Sequence, residues 1–179
     1  SLHADALEAI KERGRDEQVG DADDVAEKVA LAALHYYLLQ VTPIKDMLFN
    51  PEESLSFNGN TGPYLQYMGA RISSILAKAA ESGIKVLDDE ASIRLLDKPE
   101  EWELIKALGD FPVTVAKAAE NLDPSVMTGY LYDLSKLFSK FYQQCPILAA
   151  GDEKTEKFVQ AKVPKTLKIR EALILYRVN

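Results

Sequence analysis

The chain is poor in the side chains that most often build covalent or metal chemistry. Among 179 residues there is one cysteine, Cys145, and there are two histidines, His3 and His35. One thiol excludes a disulfide framework and an all-thiolate zinc site. Two imidazoles leave too few ligands for a histidine-built catalytic metal centre. The sequence holds no GxxxxGK phosphate loop, no HExxH and no GxSxG, so no catalytic and no metal-binding residue is expected. Apolar runs are all too short to span a membrane, and Ser1 does not open a basic-then-apolar leader. These absences together predict a reducing, cytoplasmic setting.

What is present is ordinary for a globular protein: 47% hydrophobic and 27% charged residues, enough to bury a core. The net charge of −7 argues against nucleic acid on the sum alone. Its distribution is uneven, however. Residues 1–59 carry 5 basic and 12 acidic side chains, residues 60–150 carry 9 and 12, and residues 151–179 carry 7 and 4. An acidic front and a basic tail leave room for a local basic face.

Helical periodicity dominates and strand-like alternation is scarce, which predicts an all-α helical bundle. Helices are expected over about 2–13, from Asp21 to just before Thr42-Pro43, from Thr61 to Gly83, over about 90–96 and 100–108, from Asp110 to Asn121, and from Asp123 to near Pro146. A last one starts at Pro164. Residues 44–50 read as extended, and 50–62 as a loop. Thr61 is a candidate N-cap with Pro63 in the first turn, and Asp123-Pro124 a cap-then-proline start. Val126, Tyr130, Leu134, Leu137 and Phe141 recur as the core face of the long helix. Cys145 reads as an idle buried thiol and His35 as a packed side chain. Asp23-Asp24 and Glu100-Glu101 lie where helix dipoles favour acids. The glycines of Asn58-Gly59-Asn60-Thr61-Gly62 read as a turn into the following cap. Both ends of the chain break off in mid-pattern, as expected of a piece of a longer protein.

The helix after Thr61 carries two stripes. With Tyr64 at zero and ~100° per residue, Leu65, Met68, Ile72, Ile75, Leu76 and Ala79 fall between about 20° and 120°. That face should be buried. Tyr67, Arg71, Ser74 and Lys78 fall between about −20° and −80°, with Tyr64 at the border. Periodicity alone favours tyrosines covering the rim of the core, rings down and hydroxyls wet. Rings beside cations are also what a single-stranded nucleic-acid loop needs, since bases offer π faces and phosphates offer charge. Tyr142, near the end of the long helix, is either a core-edge ring or an exposed stacking platform.

The run Gly59-Asn60-Thr61-Gly62-Pro63-Tyr64-Leu65-Gln66-Tyr67, with Arg71-Ile72 after it, resembles the G-[ND]-T-G-P-Y-L-Q-Y-x-x-x-R-[IL] segment of arginyl-tRNA synthetases. That segment opens their DALR-type anticodon-binding domain. Residues 22–30 resemble the helix leading out of the catalytic domain, and residues 49–55 the link to the anticodon domain. Tyr130-Leu131-Tyr132-Asp133-Leu134 and residues 141–148 resemble the family's long helix and its exit. The resemblance implies residues 1–58 as the end of a catalytic domain and 59–179 as a C-terminally truncated anticodon-binding domain. It further implies a cytoplasmic, monomeric parent that joins arginine to tRNA with ATP and magnesium, and no cofactor in this piece. The HIGH and KMSKS elements are absent, so the piece alone should not activate arginine and should bind tRNA weakly or not at all. By position, Tyr64 and Tyr67 fall on the two tyrosines of the family's YLQY run, Arg71 on its arginine and Tyr142 on an aromatic that stacks near an anticodon base. Lys78 continues their stripe. Where the family often has Tyr-Ala-His-Ala-Arg, this chain has Tyr67-Met68-Gly69-Ala70-Arg71, so any contact of that histidine is missing. Two other readings remain open: a helical protein–protein module with an aromatic hot spot, and the helical appendage of another class I synthetase.

Overall fold

The computed structural model describes residues 1–12, 21–84, 96–145, 147 and 148. Those residues form seven helices and no strand: α1 (Leu2–Glu12), α2 (Ala22–Leu39), α3 (Pro51–Ser54), α4 (Gly62–Glu81), α5 (Pro99–Gly109), α6 (Phe111–Asn121) and α7 (Ser125–Gln144). The all-α bundle expected from periodicity is present. The helices expected near 90–96 and after Pro164, the polar stretch from Gly151 to Val163 and the basic tail lie outside the described residues, except for Leu96.

Local chemistry explains the helix starts. Asp21 caps α2 by accepting from the Asp23 and Asp24 amides at 3.1 and 3.3 Å. Thr61 caps α4, accepting from the Tyr64 amide at 3.3 Å, with Pro63 in the first turn. At α5 the cap works in reverse. The buried Glu101 carboxylate reaches back to accept from the Asp97 and Lys98 amides, both at 3.1 Å. The acid pair at this helix start therefore does more than meet the dipole.

The loop expected over 50–62 is interrupted by α3, one turn that sequence periodicity cannot register. Asn50 caps it, accepting from the Glu53 amide at 3.2 Å, and Pro51 opens it. Before it, residues 46–50 are irregular, with no helix or strand. The α6–α7 turn passes through Leu122 at φ +50, a left-handed conformation rarely adopted by a branched side chain. Asp123 then accepts from the Ser125 amide at 3.0 Å and starts α7.

Hydrogen bonds from Ser125 hold the half-buried Asp123 carboxyl below the usual carboxylate range. A depressed carboxyl stabilises the fold above its unfolded pKa, and that contribution is lost as pH falls through the folded value. Asp123→Ala should therefore lower Tm at pH 7, and the difference from the unmodified chain should shrink on acidification below about pH 4. Thermal melts across pH 2–7 measure it; a constant difference would mean that the carboxylate charge is not what matters.

Three clusters make the interior among the described residues. The first joins Ala6 and Ile10 of α1 to Ala26, Val29 and Ala30 of α2. The second joins Met68, Ile72 and Ile75 of α4, Leu104 of α5, and Leu134, Phe138, Phe141 and Cys145 on and just after α7, with Ile147. Tyr36, Leu65 and Leu131 bridge α2, α4 and α7. The fully buried Tyr36 donates to the Thr128 carbonyl at 3.0 Å and meets the Asn60 side-chain amide. It thereby ties the loop before α4 to the first turns of α7. Cys145 is buried, as expected. His35 is half-buried with Nδ1 enclosed and without a hydrogen-bond partner among the described residues.

The buried face of α4 is the expected one, with Leu76 only half-buried. The face expected for α7 needs correction. Val126, Tyr130 and Leu137 are half-buried, while Thr128, Leu131, Ser135 and Phe138 are buried. α7 packs against α5, α6, α4 and α2, so its buried arc is not centred on a single partner. Tyr130 sits at the α5 rim, donating to the Ala107 carbonyl at 2.9 Å.

Candidate nucleic-acid interface

The start of α4 is fixed by one close approach to α2. An added Cβ at Gly62 would lie 2.2 Å from the Ala32 carbonyl oxygen of α2, so the first turn of α4 rests directly on α2 backbone. Gln66 reinforces it, donating to the Lys28 carbonyl at 3.2 Å. With its start pinned, α4 presents Tyr64, Tyr67 and Arg71 toward α7.

Arg71 is central to the seam. Its guanidinium carbon lies 4.8 Å from the Tyr67 ring centroid and 5.0 Å from that of Tyr142. It also donates to the Tyr67 hydroxyl. The cation thus sits between an α4 ring and an α7 ring, in the arrangement ring quadrupoles favour. Tyr67 and Arg71 are half-buried, and Tyr142 is 41% exposed. Of the two alternatives for Tyr142, the open ring is the one found; Phe138 supports it from below at 6.2 Å between centroids.

Tyr64 lies closer to the first turns of both helices. It meets Tyr132 edge to face at 5.9 Å, and burial, then the neighbouring Tyr132, pushes its phenol pKa up. Tyr132 was not among the residues expected here. Neither was Lys136, whose ammonium lies 4.5 Å from the Tyr132 ring centroid. Their i, i+4 spacing is the one signal in the sequence that joins them. Lys136 also pairs with Asp133 at 2.8 Å, whose hydrogen bond pushes the lysine pKa up. Tyr64 meets Tyr132 and Arg71 meets Tyr142, so α4 and α7 run in the same direction along the seam. Lys78 is exposed, seven residues beyond Arg71 and roughly 10 Å further along the axis. The structure does not bring it to the rings.

A half-open ridge of rings interleaved with cations can stack bases and neutralise phosphates. The family model of the DALR anticodon binding domain matches residues 65–168. The chain belongs to the DALR anticodon-binding domain family.

This chain is similar to arginine–tRNA ligases and arginyl-tRNA synthetases. It is 55% identical over 171 residues to an arginine–tRNA ligase of Treponema denticola, covering 94% of this chain and 29% of that protein. An arginine–tRNA ligase of Treponema pallidum is 59% identical over 149 residues, covering 82% and 25%. The fold superposes on Thermus thermophilus arginyl-tRNA synthetase with a TM-score of 0.78 at 30% identity, covering 97% of this chain and 29% of that one. On the Plasmodium falciparum arginyl-tRNA synthetase the TM-score is 0.73 at 26% identity, covering 96% and 31%. The chain thus spans between a quarter and a third of the length of these relatives.

Proposed function

We propose that this DALR domain binds the anticodon loop of a transfer RNA for an arginine–tRNA ligase, and that Tyr64, Tyr67, Arg71 and Tyr142 make the contact. The reading is carried by the Arg71 guanidinium lying between two ring faces on a half-open seam. Unpaired bases stack on such rings, and the cation meets the backbone. Lys78 extends the same side of α4 toward more distant phosphates. The parent attaches arginine to that RNA with ATP and magnesium. Among the described residues no group of three His, Cys, Asp or Glu side chains could hold a metal, and none is assigned a part in that step.

The test is Tyr67→Ala in the full-length ligase. Each stacked base is worth ~1–3 kcal/mol, so KM for tRNA should rise about 5- to 150-fold. Turnover at saturating tRNA and Tm should stay near their original values. Equal loss of turnover and Tm would make Tyr67 a packing residue. An unchanged KM for tRNA would remove the ridge from RNA recognition and favour a protein partner.

A further inference from the structure

We infer that Lys136, held over the Tyr132 ring, is a second contact for an RNA backbone phosphate on the α4–α7 seam, separate from the Arg71 slot. The inference rests on the anticodon-loop reading and deepens it. Lys136 lies one turn beyond Tyr132 on α7, and its ammonium is 4.5 Å from that ring's centroid. Tyr132 is in turn braced by Tyr64 of α4 at 5.9 Å. The lysine is therefore aimed by a half-buried ring rather than swinging freely from the surface.

Its pairing with Asp133 does not disable it. Lys136 is 52% and Asp133 69% exposed. An exposed pair is worth only ~0.2–1 kcal/mol, which a phosphate can displace. Along α4, Tyr64 and Arg71 are seven residues apart, roughly 10 Å on the axis. Arg71 lies against the Tyr67 and Tyr142 rings and Lys136 against the Tyr132 ring, so the two cations occupy different places on the seam. The two cations mark two points of the same bound strand, and the parallel course of α4 and α7 gives that strand a direction. Tyr132 acts here as a positioning residue.

The experiment measures binding of a transcript of the arginine-accepting tRNA to the full-length ligase as a function of salt. Lys136→Gln should reduce the slope of log K against log salt by about 0.7, the share of one single-strand phosphate, and Lys136→Arg should restore it. Tyr132→Leu should weaken binding about 2- to 5-fold in the unmodified enzyme, the worth of an exposed cation–π contact. In the Lys136→Gln background the same change should do almost nothing, because the two act as a unit. An unaltered salt slope in Lys136→Gln overturns the inference. If Tyr67→Ala still weakens binding in that case, the anticodon-loop reading stands without this contact. If Tyr67→Ala also has no effect, both fall together.

Discussion

Gly62→Ala is expected to destabilise the chain by about 3 kcal/mol, at the upper end of what overpacking usually costs. The methyl would lie 2.2 Å from the Ala32 carbonyl oxygen and 2.6 Å from its carbonyl carbon. Both are backbone atoms in the middle of α2, so neither can turn aside. Relief requires α4 to lift off α2, which would also disturb Tyr36 and the Asn60 amide that it meets. A urea titration should show a lower midpoint with an unchanged slope. Gly69→Ala is the matched control on the same helix. Nothing outside the helix's own turns lies within 4 Å of its added Cβ. There the substitution should stabilise by roughly 0.5–1 kcal/mol, because alanine outranks glycine in a helix interior. Opposite signs for two identical changes seven residues apart would show that the close approach, not helix propensity, governs the start of α4. Destabilisation of similar size at both positions would refute that account.

Phe138→Ala should cost more still, ~3–5 kcal/mol, the usual range for emptying a large aromatic site. Phe138 is fully buried among Phe141, Met68, Ile72 and Leu104 at the meeting of α4, α5 and α7. It also lies beneath Tyr142, 6.2 Å between ring centroids. The loss should therefore have two parts, measurable separately. Stability in urea falls, and the parent ligase's affinity for tRNA falls even at temperatures where the variant remains folded, because the Tyr142 platform loses its support. Phe138→Leu keeps most of the volume and should cost under ~1.5 kcal/mol. A Phe138→Ala variant that remains folded and binds tRNA as the unmodified enzyme does would break the proposed link between core and ridge.

How the four aromatic and cationic residues come together explains what could be read early and what could not. Tyr64, Tyr67 and Arg71 share one helix, and i, i+3 and i+4 spacing suffices to put them on one side of it. Their neighbours from α7 are another matter. Tyr142 was legible as a ring near a helix end, with its environment open. Tyr132 and Lys136 are separated from Tyr64 by more than sixty residues of chain, and no periodicity within α7 says which of its sides meets α4. The same ignorance explains the misplaced α7 core. A wheel drawn for one partner centres the apolar arc on one line, whereas α7 packs against α5, α6, α4 and α2 and buries Thr128 and Ser135 as well.

By itself the sequence determined the long helices, though not the one-turn α3, where α2, α4 and α7 begin, which face of α4 is buried and, through the Gly59–Tyr67 run, the family. All of these depend on interactions within a few residues: a cap to its amide, a proline in a first turn, an apolar stripe every 3.6 residues. Only the tertiary structure decided that α4 and α7 run parallel, that Arg71 lies between rings of both, and that Tyr132 and Lys136 share the ridge. Those outcomes depend on how closely two helices can approach. For α4 and α2 that approach is visible where Gly62 meets the backbone of Ala32, a contact that neither helix encodes alone.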